Sequence, residues 1–124
     1  MNTIFTQLHA GERYAGIIIN SATGKPTHHL ILLPHEPSEP LNWQEAMEWA
    51  ASLTGQLPSL QEAALLYTNC KPAFNGFWYW TNTVHESDAS YAWGQHFNDG
   101  TQNNLQKGYK DRVRAIRRVP ITEN

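Results

Sequence analysis

Apolar and polar positions along this chain change their period twice. Residues 14–19 and 28–33 are dense in isoleucine and leucine, and the stretch between them, Asn20-Ser21-Ala22-Thr23-Gly24-Lys25-Pro26, is rich in turn formers. That pattern predicts two strands joined as an antiparallel hairpin. Pro34, Pro37 and Pro40 exclude a regular element from the next seven residues, because proline fixes φ and has no N–H to donate. The period then turns helical. Trp43, Ala46, Met47, Ala50 and Leu53 share one face of a helix predicted over 42–54. Asn42 is placed to cap it, Glu45 to return a bond, and Gly55 to stop it. A second helix is predicted over 60–69. It opens on Ser59 and Glu62 at capping-box spacing and ends at Lys71-Pro72.

The last third returns to strand-like runs, Phe77–Thr83, Tyr91–Gly100 and a final one over 112–119. Asn98-Asp99-Gly100-Thr101 predicts a turn. Residues 102–108 are expected to form a polar loop, and Pro120–Asn124 a frayed tail. Alternation puts Trp78 and Trp80 on one strand face and Tyr79 on the other, with Trp93 opposite one of the tryptophans. Trp43, Trp49, Trp80 and Trp93 are expected in the core. Two strands, two helices and then several strands make an α+β fold, with the first strands pairing with the last. The 124 residues are expected to form one domain with a core over about 13–119.

Charge narrows the choice of partner. Only 16% of residues are charged and the net charge is −2, so the chain carries no electrostatic footprint for nucleic acid. One basic cluster stands out: Lys107, Lys110, Arg112, Arg114, Arg117 and Arg118. On a strand, Arg112, Arg114 and Arg118 would share one face and Arg117 the other; salt bridges account for them more simply than a phosphate-binding stripe. The single cysteine, Cys70, forms no intrachain disulfide, which suits a reducing compartment. The first residues lack the basic and apolar regions of a secretory signal, and no apolar run would span a bilayer. A cytoplasmic location is expected, with virion association as the alternative.

Catalytic chemistry finds little support in the residues. His28 and His29 point to opposite faces of one strand, and His35, His85 and His96 lie apart, so no metal site is expected. Cys70 follows a helix rather than opening one, Ser59 is explained by capping, and no phosphate-binding glycine loop is present. No enzyme activity and no cofactor are expected. The residues that suit recognition are aromatic, amide and imidazole side chains of the late loops and strands: Tyr79, His85, Tyr91, His96, Asn98, Asp99, Gln102, Asn103 and Asn104. Such side chains give adaptable contacts at low entropic cost.

Several of these runs carry a family resemblance. His29-Leu30-Ile31-Leu32-Leu33, Asn42-Trp43-Gln44-Glu45-Ala46-Met47-Glu48-Trp49-Ala50 and Gly55-Gln56-Leu57-Pro58-Ser59 come first. Trp78-Tyr79-Trp80-Thr81-Asn82-Thr83, Trp93-Gly94-Gln95-His96-Phe97-Asn98-Asp99-Gly100 and Val113-Arg114-Ala115-Ile116-Arg117-Arg118 follow in order. Together, over about 14–119, they resemble bacterial and phage domains of unknown function related to the C-terminal domain of Legionella collagen-like protein. The resemblance implies a C-type-lectin-like fold: two helices on a twisted, mostly antiparallel sheet, with N- and C-terminal strands adjacent. It implies kinship with the variable proteins of diversity-generating retroelements and a role in ligand or receptor binding. The calcium-binding triplets of C-type lectins are not matched: the chain has Glu36-Pro37-Ser38 and Trp80-Thr81-Asn82. The copper or cysteine chemistry of the similarly folded formylglycine-generating enzymes lacks its cysteines. The expected function is a non-catalytic protein-binding module, a phage or prophage accessory protein that acts on, and could inhibit, a host factor. The alternative is calcium-independent carbohydrate or receptor binding. Self-association through the first hairpin is a further expectation.

Overall fold

The computed structural model describes residues 4–121. It is α+β, with two helices and two three-stranded antiparallel sheets. The first sheet has the order β1 (Arg13–Ile19), β2 (Pro26–Leu32), β6 (Ile116–Pro120), and the second the order β3 (Trp78–Val84), β4 (Tyr91–His96), β5 (Gln102–Gln106). The last strand pairs with β2, so β2 lies between the first strand and the last. Helices α1 (Trp43–Ser52) and α2 (Leu60–Cys70) both begin as their spacing predicts. Asn42 and Ser59 each complete a capping box with Glu45 and Glu62.

The end of α1 differs from expectation in an informative way. Thr54, not Gly55, adopts the left-handed conformation, at φ 58°. The N–H groups of Thr54 and Gly55 close the helix onto the carbonyls of Ala51 and Ala50 at 3.0 Å, a Schellman arrangement. Gly55 is needed for room instead: a Cβ there would lie 2.8 Å from Leu33 and 3.0 Å from the Ile116 carbonyl.

Two apolar clusters hold the molecule together. Ala15, Ile18, Leu30, Leu32 and Ile116 of the first sheet meet Leu66 and Cys70 of α2, Tyr79 and Phe97. Leu33, Ala46, Ala50, Leu57, Trp80, Ala92, Val113 and Ala115 form the other. Strand β3 lies between them, Tyr79 facing one and Trp80 the other, so the predicted alternation holds while neither face of the strand is free. Trp80 is fully buried, and its indole N–H donates to the Leu41 carbonyl at 2.9 Å. Its register partner is Gly94, not Trp93; a Cβ at Gly94 would meet Leu105 at 2.4 Å. Trp43, Trp49 and Trp93 are only partly buried.

The N-terminal segment covers part of the first sheet's second face. The 3-10 turn Ile4–Gln7 buries Ile4, and Phe5 meets Tyr14 edge-on at 5.2 Å. The core therefore begins before residue 13. Two further expectations are corrected. Residues 102–106 are a strand rather than a loop, and 112–115 are not strand: there Arg112 bridges to Tyr79, carrying the chain from β3 across to β6. Pro120 ends β6, and the Ile121 N–H bonds the Thr27 carbonyl at 3.0 Å; residues 122–124 of the expected frayed tail lie outside the described residues. Among the described residues no helix is long and apolar enough to cross a membrane.

Candidate binding surface

The residues expected to bind do not converge. Strand β4 separates them into two groups, and five residue steps at strand rise put its ends roughly 17 Å apart. His96, Asn98 and Asp99 lie at one end, His85 and Tyr91 at the other.

At the first end, His96 stands edge-on to Trp78 at 5.0 Å. Its Nδ1 accepts from the Asn98 N–H at 3.2 Å and lies 3.7 Å from the Asp99 carboxylate. The bonds that Asp99 accepts from the backbone and side chain of Thr101 lower its pKa below the usual carboxylate value. Beside this turn Phe77 is 54% exposed, with the Arg112 guanidinium 4.5 Å from its ring centre.

Tyr79 and Gln102 are structural instead. Tyr79, expected at the surface, is 3% exposed because its strand is covered on both faces. Its ring meets Phe74 and Phe97 edge-on, and its hydroxyl accepts the Asn75 N–H at 2.9 Å. Gln102 turns inward, donating to the Leu60 carbonyl at 3.0 Å and to Gln95 at 2.8 Å; it ties β5 to the start of α2.

The opposite end is built from two braced loops. In the β3–β4 connection, the His85 Nδ1 accepts from the N–H groups of Ser87 and Asp88, at 3.1 and 3.0 Å. Those two donors aimed at one nitrogen leave the ring proton on Nε2. The Asp88 carboxylate accepts from the Ser90 hydroxyl and N–H, which lowers its pKa. The Lys107 N–H then bonds the Ser90 carbonyl at 2.9 Å, and the Lys107 carbonyl accepts from the Trp43 N–H at 3.0 Å. Loop 107–111 is thus sewn to the first loop and to the start of α1. Lys107 also lays its ammonium 4.2 Å from the Trp43 ring centre.

On this end Tyr109 is 63% exposed. The Tyr91 hydroxyl is held by Gln106 at 3.2 Å. Register places Tyr91 and Gln106 side by side, and next to them Trp93 and Asn104; strand alternation puts all four on one face of the sheet. The Asn104 side-chain oxygen is buried without a hydrogen-bond partner. Asn103 points to the other face and uses its own side-chain oxygen on the Asn104 N–H at 2.8 Å.

Sequence reasoning missed Tyr109 and the Trp43–Lys107 contact, because the loop after β5 has no periodic signal, and it expected the partly buried Trp93 in the core. It also missed a polar hub elsewhere. Glu62 is 1% exposed, and Arg118 donates to both its oxygens at 2.7 Å while His28 lies 2.7 Å from one of them. Burial alone would raise this carboxyl's pKa; the bonds from Arg118, the Ser59 N–H and His28 outweigh it and hold it at about 2. Three of the four arginines expected to be salt-bridged are: Arg117 pairs with Glu12, Arg118 with Glu62, and Arg114 with Glu36, whereas Arg112 lies over the Phe77 ring instead. Among the described residues no three His, Cys, Asp or Glu side chains converge. No family model matches the chain, and no curated protein matches it either.

Proposed function

We propose that this chain is a non-catalytic protein-binding module of C-type-lectin-like fold that engages its partner through the loop end formed by residues 85–91 and 106–110. The observation that carries this reading is the mutual bracing of the two loops: backbone bonds from Lys107 to Ser90 and from Trp43 to Lys107 hold Tyr91 and Tyr109 on a fixed frame. Aromatic side chains on a preorganised surface lose little freedom on binding, so more of the contact energy is retained as affinity. The motif resemblance extends the proposal to a phage or prophage accessory protein acting on a host or phage protein.

Affinity capture from host lysate, with crosslinking, tests this. One partner should be retained by N98A/D99A, at the far end of β4, and lost with Y91A/Y109A. Equal capture by both double variants would exclude the loop end as the contact.

A second reading, calcium-independent carbohydrate binding, is favoured by one specific feature at the other end: exposed Phe77 stacked on Arg112, next to Trp78. Sugar stacking there requires ring faces, and a glycan array comparing wild type with F77A/W78A separates this reading from the first.

A further inference from the structure

A cleft of about 290 Å³ opens between the N-terminal segment, the end of β2 and the end of α1. Leu33, Pro34 and Leu53 line it with apolar surface; Glu12, Arg117, Thr54 and two histidines supply its polar groups. The one acidic group there is already used. Glu12 accepts from Arg117 Nε and Nη2 at 3.0 and 2.8 Å and from the His9 N–H at 2.7 Å, and its side chain is only 4% exposed. Arg117 Nη2 also donates to the Gln7 carbonyl. What remains unspent is donor capacity. Arg117 Nη1 and the exposed Thr54 hydroxyl and His35 ring have no hydrogen-bond partner among the described residues, and the His9 ring contacts Glu12 only through Nδ1.

Thr54 supplies a second observation. A β-branched residue rarely adopts φ near 58°, and the closing turn of a helix ordinarily has glycine there. The fold keeps a threonine in this conformation at the wall of the cleft, which fits strain retained for a use other than stability.

We infer that this cleft binds a small amphipathic carboxylate, an apolar group about the size of one amino-acid side chain carrying an anionic head, with the head against Arg117, Thr54 and His35 and the body on Leu33, Pro34 and Leu53. Spare donors and apolar lining in one cleft select for that combination. The same chemistry is offered by a free branched-chain acid and by the C-terminal residue of a polypeptide.

Titration of the full chain with 3-methylbutanoate, followed by ¹H–¹⁵N NMR, should give saturable shifts at His9, His35 and Thr54. Acetate, which lacks the body, and 3-methylbutylamine, which inverts the charge, should bind about tenfold more weakly or not at all. Thr54→Gly removes the hydroxyl while relieving the backbone, so it should raise Tm yet weaken 3-methylbutanoate by about tenfold. Tighter binding of acetyl-Gly-Leu than of 3-methylbutanoate assigns the ligand to a polypeptide terminus, and the reverse order to a free acid; both orders support the inference. Non-saturable shifts, an equal response to the amine, or unchanged affinity in Thr54→Gly would overturn it.

Discussion

The two sheets are built on opposite principles. The first is apolar through most of β1 and β2, packed on α2 on one face and partly covered by the N-terminal segment on the other, and pinned by ion pairs that join elements distant in sequence: Glu12 with Arg117, and Glu62 with Arg118 and His28. The second has an edge strand, β3, that starts Trp-Tyr-Trp and is buried between the two cores, but its other edge strand is Gln-Asn-Asn-Leu-Gln, held by amide hydrogen bonds and braced loops. The second keeps aromatic and amide groups at the surface in fixed positions. The contrast teaches that burial and exposure can be divided between two sheets that share helix α2.

The strongest way to break this picture is at its inner boundary. Trp80→Ala empties a fully buried site shared by β3 and α1 and leaves the Leu41 carbonyl with only its bond from the Asp111 N–H; a loss of about 3–5 kcal/mol in urea unfolding is expected. A loss below about 1 kcal/mol would mean that β3 is not the seam between the two cores.

Glu62→Ala comes next, because it leaves Arg118 and His28 without their shared carboxylate and also removes half of a capping box; about 3 kcal/mol is expected. Acid unfolding checks the same group. Its folded pKa, about 2, lies below the ordinary value of 4.5. The unfolded chain therefore binds the proton first as pH falls. The contribution of Glu62 is complete above about pH 4.5, declines between pH 4.5 and 2, and is gone below. Glu62→Gln should flatten that part of the stability curve.

In the second sheet, Gln102→Ala removes the amide that joins β5 to Leu60 and Gln95. A cost of about 1–2 kcal/mol is expected, with amide exchange rising in β5 before it rises in β2. Uniform exchange across both sheets would erase the comparison. The smallest effect on stability belongs to Tyr109→Ala, expected within about 0.5 kcal/mol of wild type because the ring is largely exposed, while partner capture falls sharply.

Much of the fold was legible because its signals are local. Asn42 with Glu45, and Ser59 with Glu62, announce helix starts within three residues, and the isoleucine- and leucine-rich runs around Asn20–Pro26 announce the hairpin. The proposed binding surface is legible only in part. Tyr91 and His85 lie at the loop end that the proposal uses, but Tyr79, expected at the surface, is buried, because alternation distinguishes two faces of a strand without saying that both are covered. Gln102 was read as loop because polar amides have weak strand propensity, yet pairing with β4 and the bond to Leu60 make it part of a strand.

The sequence by itself determined where the helices begin, that an apolar hairpin precedes them, and that Asn98–Thr101 turns, since each depends on side chains bonding or clashing with backbone a few residues away. Only the tertiary structure decided that a capping glutamate is also the hub for an arginine 56 residues later, that Thr54 rather than Gly55 takes the left-handed position, and that β4 holds its two loops apart. Those outcomes rest on which distant surfaces meet and how much room they leave, and no local pattern encodes that.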